Sequence, residues 1–245
     1  MRTIALATIA ALLLPVAAHA ATITVFTTGL VGTGIRTLGA SWSAQTGNTI
    51  NFVSGPAIAV AKSAGSGAPG DMVVMTDTEF PLLEPRVVKA SRIEIGRIPY
   101  GVGVATGAPH PDVSTEAALQ ATLKSAKMVS YNNPAMGRAG TAMQALLARP
   151  GYEGVKVLLT QGGSAGAIPK GQADMTLGVV TEEISTKGVE VAGNLPASLG
   201  LHQDFSAATL NDSAQSEAAA SFLAYITRPE AADAWRAGGV VTPIP

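Results

Sequence analysis

Thr22-Ile23-Thr24-Val25-Phe26-Thr27-Thr28-Gly29 alternates β-branched and apolar residues, then breaks into hydroxyls and a glycine. That is the pattern of a half-buried strand running into a turn. Beyond it, Ile35, Leu38 and Trp42 recur at helical spacing and stop at Gly47, a C-capping glycine. Asn48 to Val53 reads as a second strand, with turn-like Ser54-Gly55-Pro56 after it. Ala57 to Ser63 reads as a small-residue helix closed by Gly65, and Asp71 to Met75 as a third strand ending at Thr76-Asp77. Strand, helix, strand, helix, strand at these lengths implies right-handed βαβ units and a parallel sheet.

The same alternation resumes further on. Arg97 to Ala105 is a β-like run that carries the chain into a second lobe. A helix starts at Ser114 with Glu116 in its first turn, and Lys127 to Tyr131 is a strand. Asn132-Asn133-Pro134 leads into a helix from about Ala139 to Leu147, and Val155 to Leu159 is a short strand or helix end. Gln161-Gly162-Gly163-Ser164 is expected to open another helix, and Met175 to Val180 is an apolar strand stopping at Thr181-Glu182. Past Gly193 the chain returns to the first lobe and ends in helices over Ala214 to Ile226 and Pro229 to Trp235. The expected division is a leader over 1–20, a first lobe from 21–98 and 194–245, and a second lobe from 99–193.

The leader is read from Arg2, the apolar run Ile4 to Val16 and the small-x-small site Ala18-His19-Ala20. These are the three regions of a secretory signal peptide, with cleavage after Ala20. The mature chain is thus expected in the periplasm. The chain has no Cys, hence no disulfide and no lipid-accepting cysteine, and its three His include one in the leader. A metal site is not expected. A formal net charge of −1 offers no basic field for nucleic acid or an anionic membrane. Charge is nevertheless uneven. No Asp or Glu occurs from Ala21 to Gly70, where Arg36 and Lys62 are the charged residues, as suits a region that must attract an anion.

Enzyme motifs are sparse. Gly29-Leu30-Val31-Gly32-Thr33-Gly34 follows a strand, but its glycines are in the wrong order for a dinucleotide loop and no acid occurs before Asp71. There is no Walker loop and no H-E-x-x-H, so no cofactor is expected. His110, between two prolines, and His202 read as surface residues; Trp42 and Trp235 read as core.

Five stretches together resemble the molybdate-type family of periplasmic binding proteins: Thr24-Val25-Phe26-Thr27-Thr28; Gly67-Ala68-Pro69-Gly70-Asp71-Met72-Val73-Val74; Asn133-Pro134-Ala135-Met136-Gly137-Arg138-Ala139-Gly140; Gly171-Gln172-Ala173-Asp174 with Leu177-Gly178-Val179-Val180; and Arg228-Pro229-Glu230-Ala231-Ala232. They fall in family order over nearly the whole mature chain. The resemblance implies an α/β, two-lobed periplasmic binding protein of type II, with two mixed or parallel sheets joined by two crossover strands and the ligand between the lobes.

The loops beyond the strands' carboxyl ends support that placement, because ligands of open α/β sheets collect there against helix N-termini. They supply the candidate ligand-binding residues Thr27, Thr28, Gly29, Ser54, Gly55, Asn133, Arg138, Ala139, Gly163, Ser164 and Thr181. Three positions depart from the family. Arg138 stands where proline is frequent, Thr181 where a tyrosine follows the Leu-Gly-Val-Val strand, and Thr28 or Gly29 where the first loop has serine. An arginine fork matches a planar carboxylate, so the departures shift the expected ligand from molybdate toward an organic acid.

Two functions follow as expectations. The first is a monomeric receptor that closes on a small anionic ligand, a carboxylate or oxyanion, and presents it to an ABC permease. The alternative is a periplasmic isomerase like the aconitate isomerases that resemble this family. There Arg138 would hold a carboxylate and Glu182 would move the proton between two carbons.

Overall fold

The computed structural model describes residues 20–241. The leader expected over 1–20 therefore lies, Ala20 apart, outside the described residues. Nine strands and eight α-helices follow in the order β1 (Thr22–Thr28), α1 (Gly32–Thr46), β2 (Thr49–Gly55), α2 (Ala57–Gly65), β3 (Met72–Thr76), α3 (Phe80–Leu83), β4 (Ile93–Ala105), α4 (Glu116–Ser125), β5 (Val129–Asn132), α5 (Arg138–Leu147), β6 (Val157–Thr160), β7 (Met175–Val179), α6 (Val180–Ser185), β8 (Val189–Asn194), β9 (His202–Thr209), α7 (Ser216–Thr227) and α8 (Ala232–Ala237).

The strands form two sheets that share β4. In the first, β1 lies between β2 and β3 and is parallel to both. β9 then enters between β3 and β4, antiparallel to each, its partners on β4 being Ile93 to Pro99. From Tyr100 onward β4 changes partners and runs antiparallel to β7 and β8. β5 is parallel to both β7 and β6 and completes the second sheet. Two connections cross between the sheets, β4 itself and the β8-to-β9 passage, and the first sheet is mixed rather than purely parallel. The fold is α/β of the two-sheet, two-crossover kind.

Local sequence explains the elements that position the cleft. Ile23 and Val25 of β1 are fully buried, and Ile35, Leu38 and Trp42 of α1 join them in one core with Phe222 and Trp235. Trp42 meets Phe222 with ring centroids 5.1 Å apart. Phe26, Val73 and Met75 face the other way, onto Val60 and Ala64 of α2 and Phe80 of α3. Each such side chain contributes about 1.5–3 kcal/mol of burial, so both faces of β1 and β3 are clamped and their C-terminal ends are held in place. Gly47 closes α1 in the left-handed region at φ 75°, which glycine adopts without a Cβ clash.

Two local expectations are corrected. Gln161 to Ser164 does not open a helix: a single 3₁₀ turn, Ala165–Ala167, follows it. The strand expected up to Val180 ends at Val179, and α6 starts at Val180. No helix among the described residues is long and apolar enough to cross a membrane.

Candidate functional site

A cleft of about 490 Å³ opens where the carboxyl ends of the parallel strands of both sheets meet. The first sheet contributes Thr28 to Leu30 from the end of β1 onward, Gly55 to Ile58 where β2 passes into α2, Thr76 at the end of β3 with Glu79 beyond it, and Gln203 of β9. The second contributes Asn132, the stretch Met136 to Gly140, Gly162 and Gly163 after β6, and Glu182 and Ser185 of α6.

Two helices begin in this cleft from opposite sides. α2 starts behind Pro56 and α5 behind Gly137, and neither N-terminus has a side-chain cap. The first N–H groups of a helix have no partner within it, and these face the space between the lobes with the positive ends of two helix dipoles. Gly140 makes the approach of α5 feasible. A Cβ there would lie 2.6 Å from the carbonyl oxygen of Asn133 and closer still to that of Asn132, so any other residue would push the first turn away from β5. The residues at the turn after β1 are shaped in the same way: Thr28 Oγ1 accepts from the Leu30 N–H at 3.2 Å.

Charges are few. Arg138 leads α5, is exposed to the cleft and has no ion pair among the described residues. Glu182 accepts from the Ala165 N–H at 2.9 Å, from Ser164 Oγ at 3.3 Å and from Asn132 Nδ2 at 3.4 Å. Glu79 is 7% exposed, and burial raises its carboxyl above the usual 4.5 against the opposing pull of the Thr78 hydroxyl and Arg138. Behind the cleft Gln203 donates to the Tyr100 hydroxyl at 3.0 Å. Burial raises that phenol as well, opposed by Gln203 and Arg138. Leu30, Pro56, Ile58 and Met136 give the walls an apolar character; Ile58 and Met136 are 53% and 55% exposed.

The sequence-predicted residues divide cleanly by position. Thr28, Gly29, Gly55, Arg138, Ala139, Gly163 and Glu182 line the cleft. Thr27, Ser54, Asn133, Ser164 and Thr181 do not. Thr27 is 1% exposed, and its hydroxyl donates to the Thr28 carbonyl at 3.4 Å. Ser54 is exposed on β2, an end strand of the sheet. Asn133 accepts from the Ala135 N–H at 3.0 Å and so shapes its own turn. Ser164 is fully buried and supports Glu182 from behind. Thr181 is 4% exposed because α6 begins one residue early, which turns it toward Gly239 of the C-terminal segment. Glu79, Thr76, Gln203, Asn132 and the apolar rim were not anticipated. For Glu79 a signal existed, an acid three residues past a strand end; Gln203 is the second residue of β9, where no local pattern marks it.

A second groove, about 560 Å³, is lined by Pro99, Val180, Ile184, Val189, Val191 and Val241 with His110, Glu190 and Arg236. His110 and Glu190 already face each other at 3.3 Å. The groove receives neither the α2 nor the α5 N-terminus, so the smaller cleft is the better ligand site.

Known proteins agree with this architecture. Over 237 residues the chain is 25% identical to an aconitate isomerase of Pseudomonas sp, covering 91% of this chain and 88% of that protein. A substrate-binding domain assigned to a molybdenum ABC transporter of Clostridium difficile superposes with a TM-score of 0.75 at 10% identity, over 92% of this chain and all of that one. The periplasmic molybdate-binding protein of Azotobacter vinelandii does so with a TM-score of 0.71 at 17% identity, over 91% and 100%. These two likenesses establish the fold, that of type II periplasmic binding proteins. A family model described as bacterial extracellular solute-binding protein matches residues 23–241, and the chain belongs to that family.

Proposed function

We propose that this protein captures a small organic carboxylate in the cleft, in the periplasm, as a monomer, and presents the closed form to an ABC permease. The lobes that close are 21–98 with 194–245, and 99–193, turning about the two crossovers. One observation carries the ligand class: Arg138, without an ion pair among the described residues, stands at an uncapped helix N-terminus in a cleft whose walls include Leu30, Pro56, Ile58 and Met136. Helix N-termini serve any anion, but apolar walls contribute only to a ligand with a carbon skeleton. An inorganic oxyanion gains nothing from them. The likenesses to a molybdate-binding protein and to an aconitate isomerase both support anion capture, and the isomerase supports the organic acid.

Calorimetry with trans-aconitate, citrate, sulfate and molybdate tests this. The carboxylates are expected to bind, and Arg138→Ala to weaken them by about 1.5–3 kcal/mol, the worth of a charge-assisted hydrogen bond. Arg138→Lys restores part, because charge survives and the fork does not. Unchanged carboxylate affinity in Arg138→Ala, or tighter binding of molybdate than of any carboxylate, refutes the reading.

A second reading, isomerisation of the bound acid, draws on the two carboxyls that line the cleft with Arg138, those of Glu79 and Glu182. A base would remove the proton from one allylic carbon as the double bond shifts, then return it to the other, with no net change of atoms. Glu182 is already held by three donors, so Glu79 is the better placed to exchange a proton. Proton NMR of aconitate incubated with the protein in deuterated water decides it: interconversion and deuterium uptake are expected only of an enzyme.

A further inference from the structure

Glu79 lies just beyond β3 and lines the cleft, with Thr78 Oγ1 donating to its Oε2 at 3.1 Å. The other charged and titratable groups around it are engaged or distant in role. On its own segment Asp77 accepts from Ser206 at 2.6 Å and pairs with Arg92 at 3.3 Å. On β9, Asp204 pairs with Arg97 at 2.8 Å, with His202 3.5 Å away. On β4 the Tyr100 hydroxyl is occupied by Gln203. On α6, Glu182 already accepts hydrogen bonds from the Ala165 N–H and its two side-chain partners. Arg138 of α5 faces Glu79 from the other side of the cleft and acts on it as a charge, without a direct ion pair among the described residues. Glu79 is thus a nearly buried carboxyl in an anion-binding cleft with no cation bound to it.

A ligand carboxylate entering that space brings a like charge close to Glu79 and draws Arg138 to itself. Two carboxylates confined to one desolvated site do not both stay ionised, and the one with the poorer solvation keeps a proton. A protonated carboxyl is then an O–H donor of the kind a bound carboxylate accepts.

We propose that Glu79 is a specificity-determining residue that takes up one proton as a carboxylate enters the cleft and then donates a hydrogen bond to it. The inference rests on the carboxylate reading above. Burial has already moved Glu79 in the required direction in the free protein. Ligand affinity is full where Glu79 is neutral in both states and falls as pH rises between its free and bound values, by up to tenfold per pH unit for one proton.

The test is calorimetry of trans-aconitate with the mature chain at intervals from about pH 4.5 to about pH 8, in buffers of different ionisation enthalpy. Wild type is expected to take up close to one proton per ligand within the window and to lose affinity toward the higher pH. Glu79→Gln carries a permanent donor in place of the acid. It should show no such uptake, keep its affinity, and bind more tightly than wild type at the higher pH, a gain that no merely structural role produces. The ligand's own ionisation enters both proteins alike and cancels. Equal pH profiles in wild type and Glu79→Gln overturn the inference while leaving carboxylate capture intact. So does a profile flattened by Glu182→Gln instead. Failure of every carboxylate to bind overturns the underlying reading, and this inference with it.

Discussion

The amide of Ala165 donates to Oε1 of Glu182 at 2.9 Å, so a carboxylate at the start of α6 ties down the turn that follows β6. Ser164 Oγ reaches the same oxygen at 3.3 Å. Glu182 therefore holds Gly162 and Gly163 against the cleft as well as bordering it. Glu182→Ala is expected to lower stability by about 1.5–3 kcal/mol, the worth of hydrogen bonds to a charged group, measured by urea denaturation. Glu182→Gln, which keeps one acceptor oxygen, should cost less. Equal stability of Glu182→Ala and wild type would show the turn to be self-supporting.

Gly140→Ala places a methyl group against the carbonyls of Asn132 and Asn133. Main-chain atoms cannot swing aside as a flexible side chain does, so α5 must shift. The expected cost is about 1–3 kcal/mol, with a loss of carboxylate affinity as Arg138 and the helix N-terminus are displaced. Thermal melts and calorimetry on one preparation check both.

Glu183 is fully buried, and neither of its carboxyl oxygens has a hydrogen-bond partner among the described residues. Burial, and then the charge of Glu182, raise it well above the ordinary 4.5. The folded chain holds this proton more tightly than the unfolded chain. The associated stability is complete at low pH and is lost as pH climbs from 4.5 toward the folded value, at up to about 1.4 kcal/mol per pH unit. Glu183→Gln should remove that slope, so its advantage over wild type grows from acid to neutral pH in melts taken across the range. A constant difference at all pH values would contradict this.

Ile58 of α2 and Met136 of the turn before α5 both line the cleft and are more than half exposed. Replacing both with serine should leave stability within about 0.5 kcal/mol of wild type. Affinity for a carbon-bearing acid should fall by about 1–2 kcal/mol through lost apolar contact. A parallel loss of stability would assign these side chains to the core instead.

Reading the sequence worked where physics is local. Alternation in Thr22 to Phe26, the spacing of Ile35, Leu38 and Trp42, and the left-handed Gly47 each specify an element through neighbours along the chain. The turn at Met136 to Gly140 was legible for the same reason, since a helix start, an arginine and two glycines lie together. Gln203 was not. His202 to Thr209 is mostly polar or small, and it becomes a strand only because a slot between β3 and β4 awaits it. Thr181 was misplaced by a single residue at the end of β7, enough to turn a side chain from the cleft to the interior. Glu79 depends on both effects, as its acidity is set by a desolvated wall and by Arg138, which lies far along the chain.

The late arrival of β9 also dictates an order of assembly. Every strand of the second sheet has been synthesised once Asn194 has emerged, whereas the first sheet keeps an open gap between β3 and β4 until residues His202 to Thr209 are made. The half of the molecule that begins first in the chain is thus the last to close. The open edge of β3 waits for a strand more than a hundred residues downstream, a non-local closure of the kind that slows folding.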